Sequence, residues 1–252
     1  MSIVKHNEKH QKVNVNLQSG LKNIYPVFLI IFSLFIVSTS TQAQYLDFVE
    51  NKGQWDKAAD FMSDFGGGAV FLKQNGYRVL LHDKADLEKI ANYYGHGEKV
   101  GTLGKSFIQN EKLLLRSHVY EVNFLNALTN LKPEPEKYTG TYNNYFSGTD
   151  SSHWAGNCKI YNAVKYKNLY KNIDIRYYAN EGQLKYDLVV NPGADLSQLA
   201  LQFTGMDGLE LNKTGNLVIK TSVGDAYELK PYVYQLVNGL KKKVAAKYDV
   251  DK

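Results

Sequence analysis

The chain has 252 residues, 44% hydrophobic and 13% aromatic, with a formal net charge of +5. That length allows one large domain or two small ones, with enough apolar matter for a proper core. Four Lys and one Glu in residues 1–43 account for +3 of the charge. The remaining +2 demands neither nucleic acid nor anionic lipid as a partner.

Residues 1–43 read as a secretory signal peptide. A polar region with Lys5, Lys9, Lys12 and Lys22 precedes an apolar run, Val27 to Val37, and small residues then lead to Thr41-Gln42-Ala43. The run of about 11 residues is short of the roughly 20 that a spanning helix needs, so membrane contact is expected only in transit. The expected domain is 44–252, exported to the cell surface or the medium. A single cysteine, Cys158, excludes an intrachain disulfide, so such a domain must rest on its core. Cys158 itself reads as a small buried hydrophobe.

Along the chain, AVFLKQ and YRVLL flank Asn75-Gly76, a hairpin signal with a type I′ turn. Leu87, Ile90, Ala91 and Tyr94 recur at helical spacing, which predicts one short helix over 83–94 with Asp83 as its cap and Gly95 at its end. Residues 95–116 read as an irregular excursion before a strand from Ser117 to Phe124. Pro133-Glu134-Pro135 forbids helix or central strand, and 132–136 reads as a possible sub-boundary.

From Ile173 the pattern becomes strictly alternating: Ile173, Ile175 and Tyr177, then Leu184, Tyr186, Leu188 and Val190 beyond a Gly-containing turn. Charge selects the register. A four-residue loop would oppose Arg176 to Lys185 and Asp174 to Asp187. A two-residue loop at Glu181-Gly182 opposes Arg176 to Asp187, a favourable cross-strand pair worth roughly 0.2–1 kcal/mol. Further hairpins are expected around Lys213–Asn216 and Asn238-Gly239, the latter joining Tyr232–Val237 to Lys241–Val250. Hairpin following hairpin predicts an all-β antiparallel two-layer sandwich with one inserted helix.

Several segments together are distinctive. Phe48-Val-Glu-Asn-Lys-Gly-Gln-Trp55 resembles an ENxGQ(W/F) opening, and Asn144–Asp150 with Trp154 resembles NYFxGxDxxxW. Val164–Tyr170, Ile173–Ile175, Gly182–Asp187 and Pro192–Asp195 resemble a central block, and Lys230–Gln235 a KPxxYQ stretch. The set resembles the N-terminal domain of unknown function that precedes SBBP-type β-propeller repeats and PKD-like modules in gliding-motility-associated and type IX secretion proteins. The resemblance implies an exported, surface-associated multidomain protein whose partners include its own downstream domains. It carries no catalytic residues. Against that pattern the chain stops inside a strand, as a truncated product would, and Lys241–Val250 is expected to present an open edge.

Chemistry is sparse. His82, His96, His118 and His153 are scattered, and no zinc, calcium, phosphate-loop or nucleophile-elbow motif occurs, so no cofactor is expected. Tyr142, Tyr145, Phe146 and Trp154, in an Asn- and Ser-rich stretch, are candidate ligand contacts through stacking on sugar faces, or else caps of the core. The reading is a non-catalytic module for surface assembly, adhesion or interaction with surface proteins or glycans. The alternative is a carbohydrate-active enzyme or glycan-binding module using acids such as Asp174, Glu181 and Asp187.

Overall fold

The computed structural model describes residues 2–5, 9–17, 28–35, 46–94, 113–180 and 182–251. The strands in chain order begin with β1 Ser2–Lys5, β2 His10–Leu17, β3 Phe28–Phe35 and β4 Phe48–Glu50. Next come β5 Phe61–Asp64, β6 Gly68–Lys73, β7 Gly76–His82, helix α1 Lys84–Tyr94 and β8 Leu115–Phe124. A long hairpin follows, β9 Pro133–Tyr145 and β10 Ala155–Tyr170, then β11 Ile173–Asn180 and β12 Gln183–Val190. The last third holds β13 Ala200–Thr204, β14 Gly208–Leu211, β15 Leu217–Lys220, β16 Ala226–Glu228, β17 Tyr232–Val237, β18 Leu240–Val244 and β19 Ala246–Val250.

The fold is all-β. One ladder runs β19–β2–β13–β8–β7–β6–β5–β4–β10–β11–β12–β3, with β16 and β17 both on the far side of β3. Among the described residues every pairing is antiparallel except β1 with β8. The ladder turns back on itself, so that Tyr77 of β7 meets Tyr177 of β11 and Tyr186 of β12 at ring-centroid distances of 6.3 and 5.9 Å. Side chains from the two arrays interdigitate there, as in a two-layer sandwich, and the ladder does not close into a barrel. Burying each large ring removes about 1.5–3 kcal/mol worth of apolar surface from water. The tyrosine-rich core follows from alternation: Tyr177 and Tyr186 occupy the same parity as Ile173, Ile175, Leu184 and Leu188, all buried.

The central hairpin adopts the two-residue loop register, with Arg176 opposite Asp187, Tyr177 opposite Tyr186 and Ile175 opposite Leu188. Asn238 and Gly239, at φ 51° and 78°, form the two-residue turn between β17 and β18 that positive φ at both positions requires. The first hairpin is shifted by one residue from expectation. Lys73 pairs with Gly76, so Gln74 and Asn75 make the turn and Gly76 opens β7. The reason is a close approach: a Cβ on Gly76 would lie 2.0 Å from the Val122 carbonyl oxygen of β8. Glycine is there for the neighbouring strand rather than for the turn.

The helix stands where its periodicity puts it, and the Asp83 carboxylate accepts from the Asp86 backbone N–H at 3.0 Å. Its apolar stripe is not what holds it. Leu87 and Ile90 are half-buried and Ala91 and Tyr94 exposed. Asp86 is the buried residue, gripped by Arg116 through Nε at 2.8 Å, Nη2 at 2.9 Å and the backbone N–H at 3.0 Å. The Arg116 side-chain bonds, then its backbone N–H, hold the Asp86 carboxyl down at about 2. Gly95 and 95–112 lie outside the described residues.

Three further segments are placed by the tertiary structure. Pro133 and Pro135 sit on β9, paired only with β10, so the proline joint starts an edge strand. Lys241–Val250 is two strands broken at Ala245: among the described residues β18 pairs only with β17 and β19 only with β2, so both are edge strands, as expected. Within residues 1–43, the strands β2 and β3 pair with others of the sheet. β2 lies between β13 and β19, with Val13 and Val15 buried, and β3 lies between β12 and β16–β17. An apolar β-branched and aromatic run suits a central strand bounded on both sides. The Thr41-Gln42-Ala43 site lies outside the described residues. No helix among the described residues is long and apolar enough to cross a membrane.

Replacing Gly76 by Ala forces β7 and β8 apart, and a loss of about 1–3 kcal/mol is expected from overpacking against backbone. The Gly67→Ala control, whose added Cβ meets nothing nearer than the Phe65 ring at 3.6 Å, keeps a near-parental urea midpoint.

Candidate functional site

The β9–β10 hairpin carries the aromatic residues singled out in the sequence. Its loop is tied by Asp150, whose carboxylate accepts from the Ser152 backbone N–H at 3.0 Å and hydroxyl at 2.7 Å, opening a 3-10 turn, Ser151–His153. Register shifts between Ala155 and Cys158 and between Lys159 and Tyr161 twist the hairpin; at the first, Asn157 takes φ 55° and its N–H donates to Asn144 Oδ1 at 2.8 Å.

The twist divides the aromatics. Tyr145 packs edge-on against Trp55 at 5.1 Å, in a small cluster with Val49, Ala155, Cys158 and Ile160. Cys158 is buried there, and desolvation pushes its thiol pKa up, so it is a packing residue. Tyr142, Phe146 and Trp154 are 54%, 62% and 45% exposed, and Tyr138 of the same hairpin is 49% exposed. Phe146 and Trp154 stack edge-to-face at 6.1 Å, with Trp154 Nε1 donating to the Ser147 carbonyl at 3.2 Å. Lys159 pairs with Tyr142 across the hairpin and lies 5.8 Å from the Tyr138 ring centroid. Three of the four nominated rings are therefore open to solvent and Tyr145 is structural. Tyr138 was missed because alternation does not survive the register shifts.

Arg176 and Asp187 are opposite each other, yet each bonds elsewhere. Arg176 Nε donates to Glu136 Oε2 of β9 at 2.8 Å, and its guanidinium lies 5.1 Å from the Tyr178 ring centroid. Asp187 accepts from the Tyr178 hydroxyl at 3.0 Å. Burial raises the Asp187 pKa, opposed by that bond and by the charge of Arg176. The long guanidinium reaches an edge-strand carboxylate that stays partly hydrated, while the short, more buried Asp187 is served by a neighbouring phenol. Asp174 forms an ion pair with Lys165 at 2.8 Å and accepts from the Asn168 N–H at 2.9 Å. Glu181 lies outside the described residues.

The sequence reading missed a buried acid. Glu228 of β16 is fully buried and accepts from the hydroxyls of Tyr186 at 2.5 Å, Tyr77 at 3.0 Å and Tyr248 at 3.2 Å. Tyr120 and Tyr177 complete the surrounding phenols; their hydroxyls are buried and find no partner among the described residues. No Lys or Arg among the described residues forms an ion pair with Glu228. Desolvation raises its pKa, and the three phenol bonds oppose the rise. The tyrosines are raised in turn, by burial first and then by the Glu228 charge. The available signal was parity, which puts Glu228 on the same face as Ala226. Among the described residues no three His, Cys, Asp or Glu side chains gather as a metal site. His118, also buried, donates from Nε2 to the Gly205 carbonyl at 2.8 Å and accepts at Nδ1 from the Ser222 N–H at 3.2 Å.

A carboxyl raised on folding favours the folded state below its unfolded pKa, and that contribution is lost as pH rises through the folded value. Urea midpoints across pH 4–8 are therefore expected to fall for the parent relative to Glu228→Gln, with the gap widening toward neutral pH. A constant gap would place Glu228 at an ordinary pKa.

Residues 48–252 match the family model described as Domain of unknown function (DUF7948). No curated protein and no solved structure matches the chain. With a fold of folded-back antiparallel strands, two constellations of tyrosine and a family match across all of β4 to β19, the chain belongs to the DUF7948 family.

Proposed function

We propose that the chain is a non-catalytic β-rich module of an exported, surface-associated multidomain protein, and that the β9–β10 hairpin is its contact face for glycans. The observation that carries this reading is the run of exposed rings at Tyr138, Tyr142, Phe146 and Trp154. Exposed aromatics gathered on one element, beside polar Asn143, Asn144 and Thr141, offer flat apolar faces with hydrogen-bonding groups at their rims. The acids of the central hairpin support a non-catalytic role. Asp174 is engaged by Lys165 and Asp187 by Tyr178, an arrangement suited to holding strands rather than flanking a glycosidic bond. The leader-like segment 1–43 supports export. The resemblance to domains that precede SBBP-type and PKD-like modules supports downstream partners in the same polypeptide.

A glycan array probed with the purified full chain tests the contact face, and silence on every glycan would overturn it. Trp154→Ala and Phe146→Ala are each expected to weaken binding tenfold or more, as interface hot spots do, with urea midpoints unchanged. Tyr145→Ala should do the reverse, costing about 1–3 kcal/mol of stability through lost packing on Trp55. Export predicts that mass spectrometry of the secreted protein finds an N-terminus at Gln44.

A further inference from the structure

The second register shift of the β9–β10 hairpin gathers a cation as well as rings. Between the pairs Tyr142–Lys159 and Tyr138–Tyr161, β9 advances by four residues and β10 by two. Both steps are even, which keeps these four side chains on one face, and the contacts agree. Lys159 Nζ lies 5.8 Å from the Tyr138 ring centroid, and the Tyr138 and Tyr161 rings are 5.7 Å apart. The face is turned to water: Tyr138, Tyr142 and Lys159 are exposed, whereas Cys158, of the opposite parity, is buried. Gly140, midway between the two tyrosines in β9, has no side chain to fill the interval, and a Cβ there would meet nothing within 4 Å.

The acids on or against this hairpin are already engaged. Glu134 pairs with Lys167 at 2.8 Å and Glu136 with Arg176 at 2.8 Å. Glu50, which accepts from the Lys159 backbone N–H at 3.5 Å, pairs with Lys52 at 3.6 Å, and Asp150 caps its own turn. Lys132, Lys137 and Lys159 form no ion pair among the described residues. The ring contact of Lys159 is weaker than a charge-assisted bond to a carboxylate, so its ammonium stays open to an anion.

We infer that the glycan taken by this face is acidic, a chain of hexuronic acids whose pyranose rings stack on Tyr138 and Tyr142 and whose carboxylate pairs with Lys159. This rests on reading the hairpin as a glycan contact face. A hexuronic acid carries its carboxylate directly on the pyranose ring, so a sugar lying on a phenol face presents its charge at the rim, where Lys159 stands beside both tyrosines. A sulfate ester stands further out, on an exocyclic oxygen. A neutral sugar would leave the ammonium unanswered. The unpaired Lys132 and Lys137 of the same hairpin add attraction for a polyanion at longer range.

The test is titration calorimetry of the full chain with oligomers of galacturonate, alginate and glucuronate, each beside its carboxyl-reduced counterpart, and with a sulfated galactan. Reduction removes the charge and keeps the ring stereochemistry. At least one uronate is expected to bind tenfold or more tightly than its reduced form and than the sulfated galactan, and to weaken as salt rises from about 20 to about 500 mM. Lys159→Gln should bring that uronate within about threefold of its reduced form, with an unchanged urea midpoint. Lys213→Gln, the same change of charge on the β14–β15 turn, should keep the preference. Equal binding of every uronate and its reduced form, tighter binding of the sulfated galactan, or an undiminished preference in Lys159→Gln would overturn the assignment. Neutral glycans bound through Trp154 and Phe146 without any preference for uronates reject the acidic ligand and leave the contact face standing. Silence on every sugar rejects both.

Discussion

The fold depends on one constraint, that a buried strand must satisfy its backbone hydrogen bonds on both edges. A ladder that turns back on itself has many interior strands, and each interior position has to be supplied by some stretch of chain. β10 and β8 meet this with length, sixteen and ten residues that serve several neighbours at different heights. β2 and β3 meet it with segments remote in sequence, bringing the N-terminal residues between strands that lie near the C-terminus. A long-range closure of this kind makes the sheet's completeness a property of the whole chain and not of any hairpin.

The interior answers to a second demand, that polar atoms on large rings find partners. Tyrosine fills the half-buried face of a strand well, but each phenol turned inward brings a hydroxyl with it. Glu228 collects three of those hydroxyls at one point, with no Lys or Arg ion pair among the described residues. Its burial is costly when ionised, and the phenols reduce that cost without removing it. The result is a polar knot at the centre of an apolar core, on the strand β16 that pairs with β3.

The exposed rings of the β9–β10 hairpin obey neither demand. They are not needed to close the ladder, which runs through the other edge of β10 to β11, and they do not contribute to the main core. Tyr145 and Cys158, on the same two strands, show what the hairpin needs for itself: a small cluster against Trp55 and Val49. Four large rings exposed to water on one hairpin are the reason the functional proposal rests there.

Local patterns determined a good deal by themselves. Strict alternation with opposite charges was enough for the register of Ile173–Val190, and Asn238-Gly239 for its turn, because both are decided between adjacent strands. The helix at Lys84–Tyr94 was legible for the same reason. Tertiary structure decided what depends on a third strand. Gly76 was read as a turn residue and serves instead a close approach to Val122, which nothing in its own hairpin announces. Arg176 faces Asp187 as its charge requires but bonds Glu136 two strands away. Glu228 looked like any charged residue until tyrosines from β7, β12 and β19 converged on it. The sequence by itself determined the class of fold and the hairpins, since neighbour-to-neighbour periodicity encodes them. The tertiary structure decided the partners of the N-terminal strands, the buried acid and which aromatics face water, because those follow from where distant strands meet.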